Sequence, residues 1–467
     1  MTPVPLDLAG RKVLVVGLAR SGAAAARLAA SRGAHVAVTD RRAATELAGP
    51  VRELSAAGVA FALGGHDERD FTSADLVVVS PGVPLALPEI AEARRQGVPV
   101  MAEVELAWRF LEPAPLLAIT GTNGKSTTTA LAGALLQQDR RAFVGGNLGT
   151  PLSEHALSGR PADAVVLELS SFQLEGIERL RPTVAAVLNV TPDHLDRYRD
   201  LDDYSLAKAR VVMNQQPGDF AVANGRDPRA LAIARASRGE TVTFGAGPPA
   251  PRSARDGWDG AGPAAEAPLS WSPPGGPAET YLVRGRALRG RHNRENALAA
   301  ICCARLLGVP PPAVQAGLDE FPGLPHRLEL VSERGGVEWV NDSKATNVDS
   351  TQVALAAFPA GHPSLVLLMG GRGKRAPYAP LRDLFPGRVK ALLTLGEDAP
   401  AIEQELSGLC PVEGCGDLPG AVRRAARLAG PGDVVLLSPA CASYDQFRNY
   451  EERGEAFRRL VAELERP

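Results

Sequence analysis

Along the chain, short apolar runs recur, and each ends in a polar or glycine-rich turn. The first section reads KVLVVG (12–17), a helical run through 23–31, HVAVTD (35–40), LVVVSPG (76–82) and a helical run over 88–96. Continuous apolar runs of strand length alternating with helices predict strands covered on both faces, hence a parallel α/β unit. A second section opens near Val104. Its runs are 116–119, AVVLELSSFQLE (164–175) and VAAVLNVTPDHLDRY (184–198), apolar at the start and polar at the C-terminal end, where open α/β sheets bind ligands. Past Lys208 and Asp219 the pattern weakens. Residues 246–278 are dominated by Pro, Gly, Ser and Ala, which predicts an exposed insertion without a core of its own, with Trp258 and Trp271 docking on the domain at most. GRHNRENALAAICCARLLG (290–308) predicts a helix opened by Asn293 and Asn296 as capping residues; three apart, they could equally share a face directed at a base. From about Gly323 the strand-and-turn pattern returns in HRLELV, VEWVNDSKATN (337–347), SLVLLMGGRGK (364–374), VKALLTLGE and DVVLLSPACASYDQF (433–447). This is a second open α/β sheet, with Asp342, Lys344, Thr346, Lys374 and Ser443 just past its strand ends.

Length and composition add bounds. A chain of 467 residues exceeds one ordinary core and implies about three domains, placed at 1–103, 104–322 (with the 246–278 loop) and 323–467. A hydrophobic share of 45% with 22% charged residues is that of a globular protein, and a net charge of −2 excludes nucleic-acid or acidic-membrane binding by bulk electrostatics. No apolar run reaches membrane-spanning length, and MTPVPLDLAGRK lacks a signal-peptide pattern, so a cytoplasmic protein is expected. Five cysteines with no C-x-x-C pair suggest neither a disulfide framework nor a zinc site.

The chemistry concentrates between 115 and 136, PLLAITGTNGKSTTTALAGALL. A strand, a small-residue turn and a helix follow one another there. Glycines Gly121 and Gly124, with Thr122 and Asn123, let backbone N–H groups crowd around a phosphate chain, and the helix start adds a favourable dipole. Lys125 would reach the β- and γ-phosphates, and the hydroxyl of Ser126 or Thr127 would ligate Mg²⁺. The common G-x-x-x-x-G-K-[ST] spacing wants glycine where this chain has Ile119. Glu168, at a strand end after the loop, is placed like the acid that holds Mg²⁺ in phosphate-loop enzymes, while Asp193, His194 and Asp196 end the next strand. In the first section, Gly17-Leu-Ala-Arg-Ser-Gly22 resembles a dinucleotide fingerprint with Ala19 in place of the second glycine, and Asp40 is placed for ribose hydroxyls. Only six of the 51 basic residues are lysine, and four of these, Lys125, Lys208, Lys344 and Lys374, fall in the segments singled out here. Such sparing use suggests positions where a compact amine cannot be replaced by a guanidinium.

TGTNGKST, GGNLGTP, ELSSFQLE, NVTPDHLDRY, HNRENALAA, PHRLE, NDSKATN and SPACASYDQFRNYEERG occur in this order. Together they resemble the peptidoglycan-precursor ligases across essentially the whole chain apart from the 246–278 loop. Within that family the last segment is similar to the glutamate-adding type, and the D-N-P-R motif of the diaminopimelate-adding relative is absent. The resemblance implies three α/β domains, N-terminal Rossmann-like, central phosphate-loop ATPase-like and C-terminal Rossmann-like. It also implies ATP-dependent joining of D-glutamate to UDP-N-acetylmuramoyl-L-alanine through an acyl phosphate, by a monomer, with two Mg²⁺ ions, and with the third domain swinging in to bring D-glutamate to the acyl phosphate. By resemblance, Lys125 grips phosphate, Ser126 and Glu168 hold one Mg²⁺, His194 helps hold the second, and Lys208 is the lysine converted by CO₂ to a carbamate ligand. Asn147, Ser170, Gln173 and His194 would contact the uridine nucleotide's diphosphate and sugar; Arg20, Asp40 and Arg41, beside Ala19, its uridine. Asn293 and Asn296 would lie on the adenine side and Asp342 at the ribose. Arg327, Lys344, Thr346, Lys374, Ser443 and Tyr450 correspond to D-glutamate or γ-phosphate contacts, with His326 supporting Arg327. Tyr450 stands where phenylalanine is expected. Two readings stay beside this one: a ligase of the same family for another amino acid, and a nucleotide-binding oxidoreductase using the Gly17–Gly22 turn, which leaves the 115–136 loop without a role.

Overall fold

The computed structural model describes residues 6–194, 197–245, 252–256, 267–273, 276–374 and 376–464. They form two compact units, one built from the chain up to 282 with 295–319, the other from 283–294 with the chain from 320 on.

The first unit contains two sheets. The first has five parallel strands, β1 (Lys12–Val16), β2 (His35–Asp40), β3 (Ala60–Leu63), β4 (Leu76–Val79) and β5 (Val100–Ala102), in the order β3-β2-β1-β4-β5. Side chains alternate across its faces as strand geometry demands. Val13, Val15, Val36, Val38 and Val78 enter one core with the alanine-rich helix Arg20–Ser31, while Leu14, Val16, Val77 and Val79 enter another with Phe71 and Ile90. Strands β3 and β5 are additions to the sequence reading; each is short and β3 is only half-buried.

The second sheet has nine strands: β6 (Leu116–Thr120), β7 (Ala142–Gly146), β8 (Ala164–Glu168), β9 (Val184–Val187), β10 (Phe220–Asn224), β11 (Glu240–Phe244), β12 (Ser253–Asp256), β13 (Leu269–Ser272) and β14 (Glu279–Tyr281). Their order is β14-β13-β12-β11-β10-β9-β6-β8-β7, parallel from β12 to β7 and antiparallel at the β13 and β14 end. After β6 the chain builds β7 and β8 on one side and then crosses to β9 on the other, so the sheet's topological switch point falls where the phosphate loop leaves β6.

The expectation of a coreless insertion over 246–278 is corrected by the structure. Two strands, β12 and β13, extend the sheet, with Ala254, Leu269 and Trp271 buried. An antiparallel pair needs only every second residue apolar; LSWS meets that requirement with Leu269 and Trp271, and SARD adds the buried Ala254, inside a composition that reads as loop. Trp258 lies outside the described residues.

The second unit has one sheet: β15 (Glu329–Arg334), β16 (Val337–Asn341), β17 (Leu365–Gly370), β18 (Val389–Leu395), β19 (Val412–Gly414) and β20 (Val434–Leu437), in the order β15-β16-β20-β17-β18-β19 and parallel except for β15. Alternate residues again divide: Val366, Leu368, Val435 and Leu437 go to one face, Leu365, Leu367, Met369 and Leu436 to the other.

Within the first unit, the helix Glu103–Trp108 joins the two sheets with buried charge. Glu105 is fully buried and accepts from the amides of Glu178 (3.0 Å), Arg179 (3.1 Å) and Leu180 (2.9 Å) and from Arg109 Nε (2.8 Å). Beside it Glu103 accepts from the Ser153 amide at 2.7 Å, and burial pushes its carboxyl up to about 7. Donors that converge on a buried carboxylate lose their partner if it is neutralised. Glu105→Gln, which turns an NH₂ toward them, is expected to cost about 2–4 kcal/mol by denaturant unfolding. A loss under about 0.5 kcal/mol would show that the junction does not depend on this charge.

Candidate active site

Gly124 (φ +83°) takes the N-cap position of the helix Lys125–Gln137 and offers no side-chain acceptor. The first-turn amides therefore lack the usual cap and form an anion-binding start. A Cβ on Gly124 would stand 2.3 Å from Asn296 Oδ1, which explains why the turn keeps glycine there. The loop is latched to the segment after β9. Asn189 Oδ1 accepts from the amides of Thr122 (3.0 Å) and Asn123 (2.8 Å), and Thr122 Oγ1 exchanges hydrogen bonds with Thr191. Asn189 is a residue that sequence reasoning passed over; its signal was its place as the first polar residue after a buried strand. Lys125 folds back over the loop, donating to the carbonyls of Gly121 (2.9 Å) and Thr122 (2.8 Å).

Register places Glu168 beside Ile119. Its Oε1 accepts from Asn147 Nδ2 at 2.7 Å, while Oε2 is buried with no hydrogen-bond partner. An orphaned carboxylate oxygen at a phosphate loop is the position a cation would satisfy. Among the described residues no group of three or more His, Cys, Asp or Glu is arranged for a metal; the expected donor set has only Glu168 and His194 of those types. His194 (φ +54°) is half-exposed, 3.5 Å from Asp193 and with its ring 4.9 Å from that of Phe172. Asp196 lies outside the described residues.

Lys208, on the helix Leu201–Ala209, is almost completely buried. Its Nζ donates to the Gly121 carbonyl (2.8 Å) and sits 4.3 Å from the centre of the Tyr204 ring. Burial, and next the charge of Lys125, push it down to about 7 against the pull of Asp193. A large share of this amine is thus neutral near neutral pH.

Ser170 and Gln173 form a capping box on the helix Ser171–Glu175, leaving Gln173 Nε2 buried without a partner. In the first sheet the turn after β1 is close-packed: a Cβ on Gly22 would fall 1.9 Å from the Gly17 carbonyl oxygen. Asp40 Oδ2 accepts from the Leu18 amide (2.7 Å), so it braces this turn. Burial opposes its charge, but hydrogen bonds from Arg42 and the amides of Leu18 and Arg42 prevail and hold it down at about 2. Arg42, not Arg41, makes that pair; Arg41 is exposed, and Arg20 is exposed with Glu154 3.7 Å away.

Asn296 accepts from Thr128 Oγ1 at 3.3 Å, which sets it at the phosphate loop. Neither Asn293 nor Asn296 caps the helix Arg291–Leu306: it starts from Gly290, whose left-handed φ (+87°) and carbonyl, accepting from the Asn293 and Arg294 amides, fill that role. Asn293 donates back to the Arg289 carbonyl at 3.0 Å.

The second unit gathers its own set at the C-terminal ends of β16, β17 and β20. Lys344 Nζ lies 5.5 Å from the Tyr450 ring centre, and Lys374 Nζ is 3.5 Å from Thr346 Oγ1. Asp342 is buried, accepting from the Leu328 amide (3.2 Å) and Ser438 Oγ (2.8 Å); burial pushes it up to about 7 although Ser438 and Arg327 oppose. His326 is buried 3.0 Å from Asn341 Nδ2, and exposed Arg327 helps burial hold His292 down at about 4. Ser443 is buried, its carbonyl accepting from the Phe447 amide. The Tyr450 ring meets His326 edge-on, and burial followed by Glu451 pushes its hydroxyl up to about 12. The organiser that sequence reasoning missed is Arg453. Fully buried, it donates to Ser343 Oγ (3.0 Å), the Ser343 carbonyl (2.8 Å) and the Cys441 carbonyl (3.1 Å), tying together the loops that carry Lys344 and Ser443. Its position inside the last motif was the available signal.

Two sheet switch points, a phosphate loop with an orphaned acid and a buried amine define a nucleotide-dependent α/β enzyme. Family models match in chain order: Mur ligase MurD-like, N-terminal domain over 11–102, Mur ligase middle domain over 119–304, and Mur ligase, glutamate ligase domain over 326–441. The chain belongs to the Mur ligase family and is an amide-forming ligase. It is 70% identical over 460 residues to the UDP-N-acetylmuramoylalanine--D-glutamate ligase of Anaeromyxobacter dehalogenans (98% of this chain, 99% of the relative). It is 53% identical over 465 residues to the enzyme of the same name from Myxococcus xanthus (98% of this chain, 100% of the relative). Among solved structures, the UDP-N-acetylmuramate-alanine ligase of Thermotoga maritima has the same fold, with a TM-score of 0.61 at 21% identity over 97% of this chain and 100% of that one. No helix among the described residues is long and apolar enough to cross a membrane.

Folding lowers the Lys208 pKa from its ordinary 10.5 to about 7. Between those values the unfolded chain binds a proton that the folded chain does not, so this residue's unfavourable contribution, full below pH 7, is relieved as pH rises. Wild-type unfolding free energy is expected to gain on that of Lys208→Met from about pH 6.5 to about 9.5. A gap that stays constant across this range would contradict the depressed pKa.

Proposed function

We propose that this chain joins D-glutamate to UDP-N-acetylmuramoyl-L-alanine at the expense of ATP, acting as a cytoplasmic monomer. The observation that carries the site assignment is the convergence of Lys125 and Lys208 on the Gly121 carbonyl, with the partnerless Glu168 oxygen on the neighbouring strand, level with Ile119. A carboxylate and an amine do not condense in water without activation. ATP's phosphates lie at the helix start that Gly124 opens, and Lys125 leaves its loop carbonyls to grip them. The γ-phosphoryl group passes to the alanyl carboxylate, giving an acyl phosphate and ADP. The neutral amine of D-glutamate attacks the acyl carbon, a tetrahedral intermediate forms, and it collapses with loss of phosphate and a proton. Catalysis is chiefly positioning and charge neutralisation.

Ser126, Glu168, His194 and carbamylated Lys208 are the residues that would hold two Mg²⁺ ions, which would screen phosphate charge when bound. The neutral fraction of Lys208 supports carbamate formation, since only a neutral amine adds CO₂ and an arginine has none to offer. Asp40, Arg20, Arg41, Asn147, Ser170, Gln173 and His194 serve the UDP substrate. Asn293, Asn296 and Asp342 serve the adenosine. Arg327, Lys344, Thr346, Lys374, Ser443 and Tyr450 serve D-glutamate and the transferred phosphate.

Phosphate release should require the UDP substrate and D-glutamate together. Full ATP turnover with neither present would overturn the reading, and a panel of amino acids decides whether D-glutamate is the acceptor. Lys208→Arg should lower kcat by at least about a hundredfold, and unchanged activity would remove the carbamate.

A further inference from the structure

Three residues beyond His194, Arg197 reaches across between the two sheets of the first unit. Its NH1 donates to the Pro81 carbonyl (3.5 Å) and its NH2 to the Val83 carbonyl (3.3 Å), both in the turn after β4. That turn packs directly on the nucleotide turn of the first sheet. Ser80 Oγ donates to the Gly17 carbonyl at 2.9 Å, and a Cβ on Gly17 would come within 2.8 Å of the Val83 side chain. On its other side Arg197 belongs to the His194 loop. Its guanidinium lies 3.8 Å from the centre of the Phe172 ring, the same ring that His194 contacts, and NH2 also bonds Glu175 at 3.2 Å. Its own amide (2.9 Å) and that of Tyr198 (3.0 Å) donate to the His194 carbonyl.

His194 needs such support, because a non-glycine residue at φ +54° occupies a conformation that is held only where its surroundings over-determine it. A planar guanidinium can supply it, since one cation bonds two carbonyls and a carboxylate while lying flat on an aromatic ring. The side chain is mostly buried, at 16% exposure, so these bonds are shielded from competing water.

We infer that Arg197 is a positioning residue that couples the first sheet's nucleotide turn to His194, so that the uridine-binding side of the molecule fixes the group at the reacting phosphate. The inference rests on the functional reading above. Order in the Gly17 and Ser80–Val83 turns is transmitted through the two carbonyls to the guanidinium, and from there to the His194 backbone and the Phe172 ring.

The test is a double-mutant cycle on the full-length enzyme with UDP-N-acetylmuramoyl-L-alanine, D-glutamate and ATP. Arg197→Met is expected to lower kcat about tenfold, with KM for ATP and for D-glutamate within about twofold of wild type. In a Ser80→Ala background the same substitution should cost less than about threefold, because the chain of contacts is already broken. Arg197→Lys keeps the charge but lacks the planar fork that bonds the two carbonyls and Glu175 while lying flat on the Phe172 ring, so it should behave like Met; if Arg197→Met does not fold by circular dichroism, this variant decides the question. Equal losses in both backgrounds, rescue by lysine, or a loss confined to KM would overturn the coupling. Failure of the wild type to turn over these substrates would instead remove the functional reading.

Discussion

Two ammonium groups converge on one carbonyl oxygen, that of Gly121, and much of the first unit follows from that crowding. Lys125 arrives from the first residue of the helix after the loop, and Lys208 from a helix more than eighty residues later, each within 2.9 Å of the same acceptor. One carbonyl has two lone pairs and can serve both, but two full charges so near each other in a buried setting repel strongly. The conflict is resolved unevenly. Lys125 remains near the loop surface and keeps a second carbonyl, whereas Lys208, walled in behind Tyr204, gives up much of its proton affinity. Charge and nucleophilic amine are thereby sorted onto two residues, chiefly by burial and next by the charge of Lys125.

The same logic of unmet demand runs through the rest of the site. Glu168 has one oxygen satisfied by Asn147 and one left over; Gln173 spends its carbonyl on a capping box and keeps a buried NH₂ without a partner. Unpaired buried polar groups are costly, and folded chains hold few of them. Glu168 stands beside Ile119, in the strand that leads into the phosphate loop, where an unmet carboxylate oxygen is what a ligand atom would complete.

Much of this was legible in the sequence because the parallel strands are buried on both faces and declare themselves as unbroken Val, Leu and Ile runs ending in polar turns. β1, β2, β4, β6, β8, β9, β17, β18 and β20 are of this kind. Several strands that rely on alternation or on neighbours were missed, although β15 and β16 were read: β3 (AFAL) is half-buried, β10 and β11 lie where polar residues interrupt the pattern, and β12 and β13 are concealed in a proline- and glycine-rich composition. The phosphate loop and Glu168 were expected from spacing, and Lys208 from the family resemblance together with the rarity of lysine. Asn189, Arg197 and Arg453 could not be read, since each acts by bonding backbone carbonyls or amides distant in sequence. Arg42 shows the limit in the other direction: two adjacent arginines look alike in one dimension, and only the fold decides which one pairs Asp40.

The β12–β14 extension also bears on solubility. Without it the parallel sheet would end on β11, a five-residue strand with a row of open backbone donors and acceptors that a second chain could zip onto. The antiparallel addition turns that border into a three-residue strand, Glu279–Tyr281, whose Glu279 carboxylate is clasped by Arg305. So short and charged a border gives an incoming strand little to pair with, and the segment with the poorest composition in the chain becomes its guard against fibre-like association.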